Sequence, residues 1–194
     1  MILYFAPGAC SLADHIALHE AGLTFEHEKV DLKTKKTESG ADFNAINPKG
    51  YVPALVLDSG ETITENVAIL DWIVQQAPAL APQGAMGRTR LLQMLAYIST
   101  EIHKSFAPFF QSGSDDEIQK ASDKLAKRFG WIARQIQGDF LFGKAASVAD
   151  CYLFVMLLWA EMTQQAVDAK LDAFRERMRQ RPAVNTALTH EGLA

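Results

Sequence analysis

In residues 1–32, MILYFAPGACSLADHIALHEAGLTFEHEKVDL, the hydrophobic pattern changes period twice. Ile2 to Phe5 is a short apolar run closed by Pro7-Gly8, which suits a buried strand and a turn. From Ser11 to Ala21 the spacing turns helical: Leu12, Ile16 and His19 share one stripe, and Gly22 is a stop signal. Phe25 to Leu32 reads as a second strand. Strand, crossover helix and strand make the unit from which parallel sheets are built.

Beyond this unit, Lys33 to Asn47 is polar and reads as loop or weak helix. Val52 to Leu57 predicts a strand, Asp58-Ser59-Gly60 a turn, and Glu61 to Thr64 the return strand of a hairpin. Val67 to Gln76 is helical, with Val67, Leu70, Ile73 and Val74 at helix spacing. Residues 1–77 therefore form an α/β domain with a small mixed sheet of four strands. Residues 78–87, PALAPQGAMG, contain two Pro and two Gly without periodicity and read as a linker. No strand signal recurs over 88–194. Leu91, Leu95, Ile98, Ile102 and Phe106 keep three-and-four spacing and predict one helix of about five turns. Further helices are expected at Glu117 to Gln137, Ser147 to Thr163 and Leu171 to Arg179, so the second domain is all-α.

A chain of 194 residues with 48% hydrophobic and 22% charged residues is globular in composition and long enough for two modest domains. The net charge of −4 argues against nucleic acid or an anionic membrane as partner, because phosphate binding needs clustered Lys and Arg. The one dense basic stretch, Arg175 to Arg181, is broken by Glu176 and Gln180 and reads as a solvated helix end. The longest apolar run, Cys151 to Ala160, is half a membrane span. The two cysteines form no CxxC pair and have no metal-ligand spacing, so no metal is expected. Met1 to Phe5 shows no basic leader region. A reducing, cytoplasmic setting follows as an expectation.

Cys10 falls between the Pro-Gly turn and the first residues of the opening helix. Unpaired amides and the positive end of the helix dipole meet there and favour a thiolate. Lowering a thiol pKa from about 8.5 to about 6.5 raises its thiolate fraction at neutral pH roughly twenty-five-fold. A small residue at a crowded turn explains the position equally well. Cys151, in a run apolar on every face, reads as an inert core residue.

Ala6-Pro7-Gly8-Ala9-Cys10-Ser11-Leu12-Ala13 resembles the start of the beta-class, bacterial glutathione transferases. Asn47 to Leu55, Thr64-Glu65-Asn66, Glu101-Ile102-His103-Lys104 and Ser147-Val148-Ala149-Asp150 agree with that family in order and spacing. The resemblance implies a thioredoxin-like N-terminal domain, a helical C-terminal domain carrying the electrophile pocket, and a homodimer. It implies a cis peptide before Pro53, with the main chain of Val52 pairing with the cysteinyl backbone of glutathione. Amides at Glu65-Asn66 would take the γ-glutamyl carboxylate while the Glu65 carboxylate meets its ammonium; a plain cap by Asn66 is the competing reading. Lys35 would lie near the glycine carboxylate. His103 would border the cysteine and the electrophile pocket, whereas His15, His19, His27 and His190 read as surface or packing residues. Ser147 and Asp150 are chemically a capping box and concern folding. Two positions depart from the family. Phe5 stands where many members have tyrosine, and Tyr4 should face the other side of its strand. Ala96 stands where relatives often place an asparagine reaching the partner subunit's glutathione.

The resemblance implies conjugation of the glutathione thiolate to small apolar electrophiles, a detoxification chemistry with glutathione as co-substrate and no other cofactor. In that reaction Cys10 as a thiol would donate a hydrogen bond to the glutathione sulfur, with Ser11 as a second hydroxyl donor. As a thiolate, Cys10 would instead support monothiol, glutaredoxin-like exchange. A scaffold that binds glutathione without chemistry is the third reading.

Overall fold

β1 (Ile2–Phe5) lies at the centre of the sheet because its residues are apolar on both faces; Leu3 is fully buried, and Tyr4 and Phe5 nearly so. Gly8, at φ +69°, turns the chain into α1 (Leu12–Glu20). β2 (Glu26–Asp31) returns parallel to β1 with Leu3 opposite His27 and Phe5 opposite Lys29. The four expected strands are joined by a fifth. At the end of β2 the Asp31 carboxylate accepts the amides of Lys33 and Thr34, and this turn directs β3 (Lys36–Thr37) back along β2. Two residues are too few for a periodicity signal, so this polar stretch reads as loop from sequence.

α2 (Phe43–Ile46) is one turn, capped by the Asp42 side chain and anchored by the buried Phe43. β4 (Ala54–Val56) pairs antiparallel with β1, and β5 (Thr62–Thr64) pairs antiparallel with β4. The sheet order is β3-β2-β1-β4-β5. α3 (Asn66–Gln76) packs against α1 and buries Ile69, Leu70 and Ile73.

The computed structural model describes residues 1–194 and divides them into two units, Met1–Leu80 with Arg181–Ala194, and Ala81–Gln180. The helical domain expected over 88–194 therefore gives up its last segment to the first unit. That segment is α9 (Pro182–His190), whose Val184, Ala187 and Leu188 are buried and which packs on α1. Arg181 makes a bidentate pair with Glu20 at the end of α1, and Glu191 is buried against Gly8 and His15.

The second unit contains α4 (Gly87–Tyr97), α5 (Ala107–Phe110), α6 (Asp115–Gln135), α7 (Val148–Met162) and α8 (Ala169–Arg179). Here the single helix expected over 91–106 is corrected: a wide π turn at Ile98–Ile102 follows α4, and a tight 3-10 turn at His103–Phe106 follows that. One turn overshoots the helical phase and the other undershoots it, so Ile98, Ile102 and Phe106 all stay fully buried. α7 is the centre of this unit, apolar all round and buried from Val148 to Leu157. Cys151 is buried there with Sγ on the Ser147 carbonyl. The expected capping box is present: the Asp150 carboxylate accepts from the Ser147 amide, the Ser147 hydroxyl and the Leu141 amide.

Candidate active site

Within the first unit the chain segments after β1, before β4 and before α3 meet around Cys10. Its Sγ lies 3.7 Å from the carbonyl of Val52, whose peptide bond to Pro53 is cis. Asn66 sends Nδ2 back to the Cys10 carbonyl (2.7 Å) and to the Asp14 carboxyl (3.0 Å). Its side chain thus braces the cysteine turn and does not cap α3; the cap position belongs to Glu65. Glu65 holds φ +75°, a backbone conformation costing on the order of 1–3 kcal/mol for a residue with a side chain. Its carbonyl accepts the amides of Ala68 and Ile69, and its carboxylate accepts from Lys49 Nζ (2.6 Å) and Tyr51 Oη (2.7 Å). These two donors hold the Glu65 carboxyl below its usual range. Lys35, also left-handed at φ +58°, donates from Nζ to the Gly50 carbonyl at 2.6 Å.

Cys10 does not have the low pKa that its place before a helix suggests. Burial pushes the thiol up to about 12, Asp14 adds to the rise, and the nearby Cys10 and Ser11 amides only partly offset it. Desolvation of a thiolate here outweighs the helix terminus. Asp14 is itself fully buried and held well above the usual carboxyl range by that burial. Ser11 is not brought to the site: it is fully buried, and its hydroxyl contacts the Ala6 main chain. Tyr4 packs on Phe43 and Phe5 against His15 and His27, on opposite faces of β1 as the strand period requires. No hydroxyl is offered from position 5.

In the second unit His103 follows the π turn. Its Nδ1 is 2.6 Å from the Tyr152 hydroxyl, and its ring lies edge-on to Trp159. Burial, helped by Lys104, lowers its pKa to about 4, so the ring is neutral at neutral pH. His103, Lys104, Ala107, Phe110, Gln111 and Trp159 line a cavity of about 400 Å³. Of the aromatic residues near it, Phe106 is core and Phe110 is 47% exposed.

Several contributors were beyond sequence reasoning. Tyr51 and Lys49 show their part only in the fold, where the 47–53 loop brings both to the Glu65 carboxylate. Tyr152 is hidden in an apolar helix, and Glu191 reaches Gly8 across 183 positions. The histidines read as surface or packing residues pack on one another: His15, His19, His27 and His190 have ring centroids 4.5–5.5 Å apart, stacked or tilted. Burial lowers His15 and His19 to about 4.

Residues 9–76 match the glutathione S-transferase N-terminal domain family, and residues 94–182 match the C-terminal domain family. The chain is 39% identical to glutathione S-transferase GstA of Escherichia coli O157:H7, with both chains covered in full. The beta-class glutathione S-transferase of Sphingomonas chungbukensis is 46% identical, with a TM-score of 0.91 over the whole of both chains. A sphingomonad glutathione S-transferase complexed with glutathione is 47% identical, with the same TM-score and full coverage of both. Full-length agreement across both domains, with the cis proline and the cysteine turn in place, leads to one assignment: the chain belongs to the beta class of the bacterial glutathione S-transferases.

Proposed function

We propose that this protein is a glutathione transferase that joins the glutathione sulfur to small apolar electrophiles. The observation that carries the mechanism is Cys10 held as a thiol beside the cis Val52–Pro53 bond. A neutral thiol can turn its proton from the Val52 carbonyl toward an incoming glutathione sulfur and stabilise that sulfur as the anion. The main chain of Val52 is the partner for the cysteinyl backbone of glutathione. The first amides of α3 take the γ-glutamyl carboxylate, and the Glu65 carboxylate takes its ammonium, in exchange for part of its hold on Lys49. Lys35, beside Gly50, is placed for the glycine carboxylate. His103 is neutral and orders the cavity with Tyr152, and Phe110 and Trp159 offer an apolar wall for the electrophile. Glutathione is a co-substrate here, and no other cofactor has a part in the scheme.

The monothiol exchange reading needs Cys10 as a thiolate, and its raised pKa counts against that. A cytoplasmic setting and a detoxifying role fit the free thiols and the chemistry. A homodimer is what the family resemblance implies, and Ala96 is exposed; sedimentation at micromolar concentration giving one monomer mass would overturn it.

The deciding experiment compares wild type and Cys10→Ala in glutathione-dependent conjugation of an aryl halide. Saturable turnover in the wild type that falls about 100- to 1,000-fold in the variant is expected, the loss of one donor to a developing anion. Equal rates would remove Cys10 from the mechanism. Absence of turnover in both would favour a scaffold.

A further inference from the structure

Outside the glutathione site, the first unit holds a second group of chemistry-bearing side chains. His15 comes from α1, His27 from β2 and His190 from the end of α9. One ligand nitrogen from each lies within 4.8 Å of the others. His15 Nε2 and His190 Nδ1 are 3.4 Å apart, close to the edge of about 3.3 Å between two imidazole nitrogens on a tetrahedral cation with bonds of about 2.0 Å.

The His15 nitrogen is also oriented. His15 is fully buried, and its Nδ1 is bound to Glu191 Oε1 at 3.0 Å, so Nε2 faces the group. The Glu191 carboxyl is held in turn by the Gly8 amide at 2.9 Å. A buried carboxyl group on the far nitrogen of a histidine is the kind of support that metal-bound imidazoles use to set tautomer and direction. His27 and His190 are exposed, which leaves an entry path. Phe5 and Phe25 wall the buried side. Aromatic packing alone would be served by phenylalanine at 27 and 190 and would need no carboxyl group behind His15.

We propose that His15, His27 and His190 bind a late first-row divalent cation of the Zn²⁺ type, with Glu191 ordering His15 and a fourth position open to water. Three imidazole nitrogens suit Zn²⁺, Co²⁺, Ni²⁺ or Cu²⁺ and not Mg²⁺ or Ca²⁺. The site is independent of glutathione: it is made by the chain end returning to α1, and its Glu191 grips the same turn that carries Cys10.

The test uses full-length protein without a histidine tag, stripped by a chelator and titrated with Co²⁺. One equivalent per chain is expected, with visible absorption of low-symmetry nitrogen coordination, displaced by Zn²⁺. His27→Gln and His190→Gln, both at exposed positions, should each weaken binding by about 100-fold or more, and Glu191→Gln by about 10- to 100-fold. Cys10→Ser should leave binding unchanged. Absence of saturable Co²⁺ or Zn²⁺ binding below about 100 μM overturns the proposal. So does full binding in both histidine variants, or loss of binding in Cys10→Ser.

Discussion

Cys10 shows how two local effects of opposite sign are resolved. Its place before α1 offers amides to a thiolate, but desolvation there is the larger force and lifts the thiol to about 12. Because the folded value lies above the unfolded one of about 8.5, the unfolded chain loses this proton first as pH rises. Stability is unaffected by this group below that value and declines through the window up to about 12. Iodoacetamide labelling of the folded protein should accordingly stay slow at neutral pH and accelerate only toward that upper value. Fast labelling at pH 7, absent in Cys10→Ser, would restore the thiolate reading. At this scale the family resemblance names Cys10, Val52, Pro53 and Glu65 as candidates, but the sequence does not give their protonation or orientation. Asn66 illustrates the limit: a residue before a helix reads as a cap, and only the fold shows its amide turned toward Cys10 and Asp14.

Elements with a local grammar were legible and those without one were not. β1, α1, α3 and α7 announce themselves by period, caps and stop signals. Asp150 is the best case, since the Ser147-to-Asp150 spacing alone predicts the box that the structure contains. Its carboxylate also holds the Leu141 amide, so the two substitutions should differ. Ser147→Ala should cost about 1 kcal/mol. Asp150→Ala strands buried amides and should cost roughly 3 kcal/mol, a fall in Tm of about 6–12 °C for a chain of this length. Equal small shifts for both would show that water or another acceptor replaces the carboxylate. The π turn at Ile98–Ile102 was illegible for a physical reason. The following 3-10 turn restores the phase, so the apolar spacing from Leu91 to Phe106 passes through both without a break.

For the molecule as a whole, binding of glutathione to the folded state alone must raise stability by mass action. At about one hundred times Kd the gain is about 2.7 kcal/mol, or a rise in Tm of about 5–11 °C. An unchanged Tm at saturating glutathione, with Cys10 intact, would count against the glutathione site. The division of the chain was only partly readable, because Pro78 to Gly87 carries a linker's composition while nothing near Arg181 marks a return to the first unit. That return has a consequence for synthesis. The first unit is split in sequence, and the 100 residues Ala81–Gln180 are inserted between its two parts. A ribosome adding about 5–20 residues per second delivers them in about 5–20 s. Throughout that interval the face of α1 that receives Val184, Ala187 and Leu188 stands uncovered on the nascent chain. The sheet and its first helices can therefore assemble early, but the N-terminal unit is completed last.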